Sequence, residues 1–159
     1  MEIRIDIEEY EKAEELSPDE QKLINAAMQA AKQSYAPYSG FCVGAAIRLD
    51  NDEIILGSNQ ENAAYPDGLC AERVAIFYAH SHFPDIAVRT LVVVAATTSG
   101  LTDKPVYPCG SCRQVFVESE TRFKKPIRII MAGKNKILAA HSAKDLLPLS
   151  FDSSFLKKR

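Results

Sequence analysis

Three cysteines and one glutamate carry the chemistry open to this sequence. Cys70 begins Cys70-Ala71-Glu72-Arg73 and Cys109 begins Cys109-Gly110-Ser111-Cys112, and all three thiols stand at or just inside the starts of expected helices. Helix N-termini stabilise negative charge, so thiols placed there ionise readily and become good metal ligands. Zinc suits them, because three thiolates without a fourth protein ligand leave the last tetrahedral position to water, as in a catalytic site. Glu72, two residues after Cys70, can address that water from the same first turn without ligating the metal.

Plainer uses of these residues exist. Cys109 and Cys112 alone could form a thioredoxin-like redox pair, but such a pair has no need of a third thiol at another helix start followed by glutamate. A structural zinc site would want a fourth ligand. The remaining cysteine, Cys42, precedes Val43-Gly44-Ala45-Ala46 and reads as a small buried hydrophobe. His80, His82 and His141 lack ligand spacing relative to the cysteines and read as surface or helix-end residues.

The elements that must hold these residues follow from patterning. Ser17-Pro18-Asp19-Glu20 is a capping box with proline at the first helical position, and the helix it opens extends to about residue 34 and buries Leu23, Ile24, Ala27, Ala30 and Ala31. Residues 43–49 and 53–56 form a hairpin across Asp50-Asn51-Asp52. After a polar loop, helical spacing returns over residues 69–79 with Val74, Ile76 and Phe77 inward. Residues 89–96 are a β-branched run suited to a central strand, a helix follows over about 109–118, and strands at 126–131 and 137–140 precede a short helix capped by Ser142. Five strands with interleaved helices give an α/β domain, a mixed sheet covered on its faces by helices. Ile3, Ile5 and Ile7 alternate with charges as in a short half-buried strand, and residues 1–16 are taken as an extension ahead of a domain spanning 17–159.

Composition narrows the function. With 159 residues, 47% hydrophobic and 25% charged, the chain is one ordinary globular domain, which excludes disordered and fibrous classes. Nineteen Lys and Arg against 21 Asp and Glu leave a net charge of -2, and the only basic run, Lys157-Lys158-Arg159, reads as a solvated tail, so no nucleic-acid partner is expected. No apolar run approaches the roughly 20 residues of a membrane helix, so no membrane partner is expected either. The charged start Glu2-Ile3-Arg4-Ile5-Asp6 is unlike a signal peptide, and a cytoplasmic location follows as the expectation.

Cys70-Ala71-Glu72-Arg73 followed by Pro108-Cys109-Gly110-Ser111-Cys112-Arg113-Gln114 resembles the cytidine deaminase family of zinc hydrolases, in its short three-cysteine form. The resemblance extends to Tyr35-Ala36-Pro37-Tyr38-Ser39-Gly40-Phe41, to Asn59-Gln60-Glu61-Asn62-Ala63-Ala64-Tyr65 and to Leu146-Leu147-Pro148-Leu149-Ser150-Phe151. It implies a three-layer α/β/α fold around a five-stranded mixed sheet. It also implies Zn2+ on Cys70, Cys109 and Cys112, Glu72 as the catalytic proton shuttle, and Arg73 donating to a zinc-bound thiolate. Phe41, Asn59, Glu61, Ala71 and Tyr65 would form the nucleoside pocket, and Phe151 would reach in from a neighbouring subunit of a homotetramer. Pro66-Asp67-Gly68-Leu69 stands where the family often carries more apolar residues, and the extension is longer than in a minimal member.

The activity so implied is hydrolysis of cytidine or 2'-deoxycytidine to the uridine counterpart and ammonia, a pyrimidine salvage step. Three alternatives use the same residues: an editing deaminase acting on a polymer, a deaminase of a cytosine nucleoside antibiotic, and a noncatalytic zinc-binding or redox module. The acidic balance and the Asn59, Glu61 pair argue against the first.

Overall fold

The computed structural model describes residues 1–156, so the basic run Lys157-Lys158-Arg159 lies outside the described residues. The order is β1 (Ile7–Tyr10), α1 (Pro18–Ala31), β2 (Cys42–Leu49), β3 (Ile54–Ser58), α2 (Ala71–His82), β4 (Val88–Thr97), β5 (Gly100–Leu101), α3 (Gly110–Phe123), β6 (Arg128–Ala132), β7 (Ile137–Ala140) and α4 (Ala143–Leu146). The strands form a single mixed sheet in the order β1-β7-β6-β4-β2-β3, with β5 paired to β4. Among the named strands of the described residues only β4 and β6 pair in parallel, and the crossover between them carries α3.

Local chemistry explains the elements. The Ser17 hydroxyl accepts the Glu20 amide hydrogen while the Glu20 carboxylate accepts from the Ser17 amide at 3.0 Å, so the capping box at α1 is closed in both directions. Ser142 and Asp145 close a second one at α4. The turn between β2 and β3 places Asp52 in the left-handed region at φ 69°, a conformation that short polar side chains tolerate.

Alternation along the central strands sorts the core into two layers. Leu91, Val93 and Ala95 face α2 and α3, where Ile76, Phe116 and Val117 are buried. Val92 and Val94 face α1, against Leu23, Ile24, Ala27 and Ala31. Two glycines let the helices approach the sheet closely. A Cβ on Gly44 would fall 2.0 Å from the Ala27 carbonyl oxygen on the α1 side, and one on Gly57 would fall 2.4 Å from the Ala71 carbonyl oxygen on the α2 side. The second contact seats the first turn of α2.

The architecture is the expected three-layer α/β/α, but the sheet has seven strands among the described residues rather than five. The additions are β5, two residues long, and β1, whose pairing with β7 starts at Ile7 and not at Ile3. Phe77 is 46% exposed, because the buried stripe of α2 is phased on Ala71, Glu72, Ala75, Ile76 and Ala79, and Val74 is only half-buried. Cys42 is half-buried at the start of β2 rather than a core residue.

Candidate active site

Cys70 is the N-cap of α2 and Cys109 the N-cap of α3, with Cys112 buried one turn into α3. Both helices pack on the same face of the sheet, so their N-termini meet and the three sulfurs lie within 4.8 Å of one another. Cys70 Sγ is 3.7 Å from Cys109 Sγ, which is 3.5 Å from Cys112 Sγ, while a disulfide would need roughly 2.05 Å. Sulfurs bound at about 2.3 Å in a tetrahedron stand roughly 3.8 Å apart, so this triangle fits a zinc ion with little movement. The cluster is electrostatically primed for a cation. Hydrogen bonding from Cys112, opposed by burial and reinforced by Arg73, holds the Cys70 thiol down to about 5. The Cys112 thiol is pushed up by its bond to Cys70 and by burial, so Cys70 takes the first negative charge.

Arg73 places Nη2 3.7 Å from Cys70 Sγ, whereas its Nε is buried and has no partner among the described residues. Glu72 is only 4% exposed, and burial, helped by the neighbouring Cys70 charge, pushes its carboxyl up to about 7. A carboxyl in that range both accepts and releases a proton near neutrality.

A cavity of about 590 Å³ opens over this cluster, within the range of small-ligand sites. Phe41, Asn59, Glu61, Tyr65, Ala71 and Glu72 all line it, together with Cys70 and Cys109. The Asn59 amide is committed to the strand entry, accepting from Val43 N at 2.8 Å and donating to Phe41 O at 2.9 Å. It therefore fixes where Phe41 stands. Glu61 accepts from the Ser39 hydroxyl and from the amides of Tyr38, at 2.8 Å, and Ser39, at 3.3 Å, and the Ser39 bond leads in holding its carboxyl below the usual range. Tyr38 meets Tyr65 edge-on, with ring centroids 6.0 Å apart.

Phe151 does not line the cavity of its own chain. It is 57% exposed, stacks on Phe155 with centroids 5.6 Å apart, and lends its carbonyl to Gln114 Nε2 at 2.8 Å. Tyr107 and Ser39 line the cavity without having been singled out, although Tyr107 directly precedes Pro108-Cys109. Arg113 was also missed. Its Nε donates to Pro108 O at 2.8 Å and its Nη1 to Leu146 O at 2.9 Å, which pins the peptide ahead of Cys109.

Comparison with known proteins agrees with this geometry. Residues 17–125 match the family model described as the cytidine and deoxycytidylate deaminase zinc-binding region. A cytidine deaminase of Halalkalibacterium halodurans is 45% identical over 100 residues, covering 63% of this chain and 71% of that one. One from Mycobacterium tuberculosis is 37% identical over 128 residues, covering 79% and 84%. The crystal structure of cytidine deaminase from Burkholderia pseudomallei superposes with a TM-score of 0.71 at 36% identity, covering 82% of this chain and 97% of that one. The chain belongs to the cytidine and deoxycytidylate deaminase family, and its activity is zinc-dependent hydrolytic deamination.

Proposed function

We propose that residues 17–159 form the deaminase domain, that Cys70, Cys109 and Cys112 hold one zinc, and that the domain converts cytidine and 2'-deoxycytidine to their uridine counterparts. The observation that carries the assignment of roles is the buried Glu72 carboxyl beside the three-thiol triangle, at a cavity of about 590 Å³, roomy enough for a nucleoside. Zinc held there supplies a water whose pKa falls toward 7.

Glu72 then does the proton work. It takes one proton of the attacking water and passes it to N3 of the cytosine ring as the oxygen bonds to C4. It next takes the remaining hydroxyl proton and delivers it to the amino group, the C4–N bond breaks, and ammonia leaves. Both water protons are accounted for, one on N3 and one on ammonia. Arg73, beside Cys70, draws off part of the negative charge that three thiolates accumulate. Glu61 keeps acceptor capacity for a sugar hydroxyl, Phe41 and Tyr65 wall the base and sugar, and Asn59 and Ala71 fix the backbone around them.

Phe151 completes the site of a neighbouring subunit in a homotetramer. Support comes from the apolar surface that Leu149, Phe151, Phe155 and Leu156 expose, at 83, 57, 70 and 60%. Among the described residues no helix is long and apolar enough to cross a membrane. The reactive thiols suit a reducing compartment, so we place the enzyme in the cytoplasm, in pyrimidine salvage. Ammonia release from cytidine, deoxycytidine, CMP and cytosine tests the substrate assignment. The nucleosides should turn over, with CMP disfavoured by Glu61 and cytosine a very poor substrate, and comparable rates for cytosine and cytidine would contradict it.

A further inference from the structure

The segment Glu2-Ile3-Arg4-Ile5-Asp6-Ile7-Glu8 has the alternation of a half-buried strand, yet within one chain its apolar row stays partly exposed. Only Ile7–Tyr10 joins the sheet, as β1 against β7, and Ile3, Ile5 and Ile7 remain 48, 43 and 37% exposed. The strand is firmly seated on its inner side. Glu8 pairs with Arg128 at 2.7 Å and His141 at 3.2 Å, and Glu9 pairs with Lys136 at 2.6 Å. Its outer edge ends the sheet, so its backbone donors and acceptors there are a template for another strand. None of residues 1–10 lines the catalytic cavity.

We propose that residues 2–8 pair, antiparallel, with the same residues of a second copy of this chain about a twofold axis at Ile5. The sequence itself selects this register. A shift that puts the axis between two residues sets isoleucines against charges. With the axis at Ile5, that residue faces its own counterpart, Ile3 faces Ile7, and Arg4 faces Asp6, the last two pairs occurring twice. An axis at Arg4 would oppose Arg4 to itself and Glu2 to Asp6, and one at Asp6 would oppose Asp6 to itself and Ile3 to Glu9. The like-charge pair in the proposed register, Glu2 against Glu8, also occurs twice, and it falls where Arg128 already pairs with Glu8 at 2.7 Å. A ribbon of this length is smaller than the roughly 1,200–2,000 Å² of a stable interface, so the contact is reversible and depends on protein concentration.

Cysteine trapping tests it. Residues directly opposite across an antiparallel pair have Cα atoms about 4.5–5.5 Å apart, within the span of a disulfide. Zinc-loaded Ile5→Cys, mildly oxidised across a concentration series, should form an intermolecular disulfide well above the background of the wild-type chain, whereas Arg4→Cys should not. Adding Arg4→Asp to Ile5→Cys should lower trapping about fivefold through two new like-charge pairs, and adding Asp6→Arg as well should restore it. Deamination by each variant, unchanged, reports that the fold is intact. Trapping of Ile5→Cys no greater than wild type, an intrachain disulfide in its place, or failure of the charge exchange to restore trapping would overturn the proposal.

Discussion

The backbone of Gly57 lies so close to the first turn of α2 that a Cβ there would fall 2.4 Å from Ala71 O and 2.6 Å from Ala75 N. Backbone cannot yield as a flexible side chain would, so α2 itself must move, and it carries Cys70 and Glu72. Gly57→Ala is therefore expected to cost about 1–3 kcal/mol of stability, as overpacking does, and to lower zinc content along with turnover. Thermal unfolding and elemental analysis of the same preparation check both effects. Wild-type stability together with full zinc occupancy would show that the contact is not needed.

The sulfur triangle predicts one zinc per chain. Cys109→Ala should lose most of the metal, and chelation of the wild-type protein should abolish turnover until zinc is restored. Metal analysis before and after dialysis against a chelator provides the measurement.

The proposed sugar contact of Glu61 predicts a substrate-dependent penalty. Glu61→Gln leaves one acceptor oxygen and adds a donor, so kcat/KM for cytidine should fall by roughly 10–100-fold, the loss of a charge-assisted hydrogen bond of about 1.5–3 kcal/mol. The residual rate with free cytosine should change little. Equal losses on both substrates would remove Glu61 from the sugar site.

Acid should weaken the fold through Glu20. Although burial raises it, hydrogen bonds from Ser17 and then from Arg128, 2.6 Å away, hold its carboxyl below the ordinary value. A depressed folded-state pKa gives stability that is present above the unfolded carboxyl range near 4.5 and is lost as pH falls through the folded value. Glu20→Gln should thus cost about 1 kcal/mol near pH 7, a figure discounted for solvent screening, and much less near pH 3. Denaturant unfolding at both pH values reads the difference. A pH-independent cost would assign Glu20 a capping role alone.

What the sequence made legible is what local chemistry dictates. The Ser17 and Glu20 capping box, the hairpin across residues 50–52 and the apolar run of β4 are each decided by a few neighbouring residues. The meeting of Cys70, Cys109 and Cys112 at two helix starts was legible because each start carries its own signals. Phe77 was misassigned because the stripe of α2 is set by the close packing of Ala71 and Ala75 on Gly57, a contact between elements. Ser39 and Tyr107 went unseen for a similar reason. Ser39 reaches Glu61 across 22 residues of sequence, and nothing in the residue type of Tyr107 separates a cavity wall from a surface tyrosine. The strand β1 starts later than its alternation suggests, because alternation fixes which residues share a face but not which of them β7 is long enough to meet.

The central claim is that Glu72, buried beside three zinc-binding thiols, moves the protons of cytidine hydrolysis. Parallel measurement of ammonia release and zinc content in wild-type and Glu72→Gln protein tests it most directly. The wild type should release one ammonia for each uridine formed, and the variant should keep its zinc and fold while losing at least 10²–10⁴-fold in kcat, the worth of general acid and base assistance. A zinc-replete variant within tenfold of wild-type turnover would contradict the account.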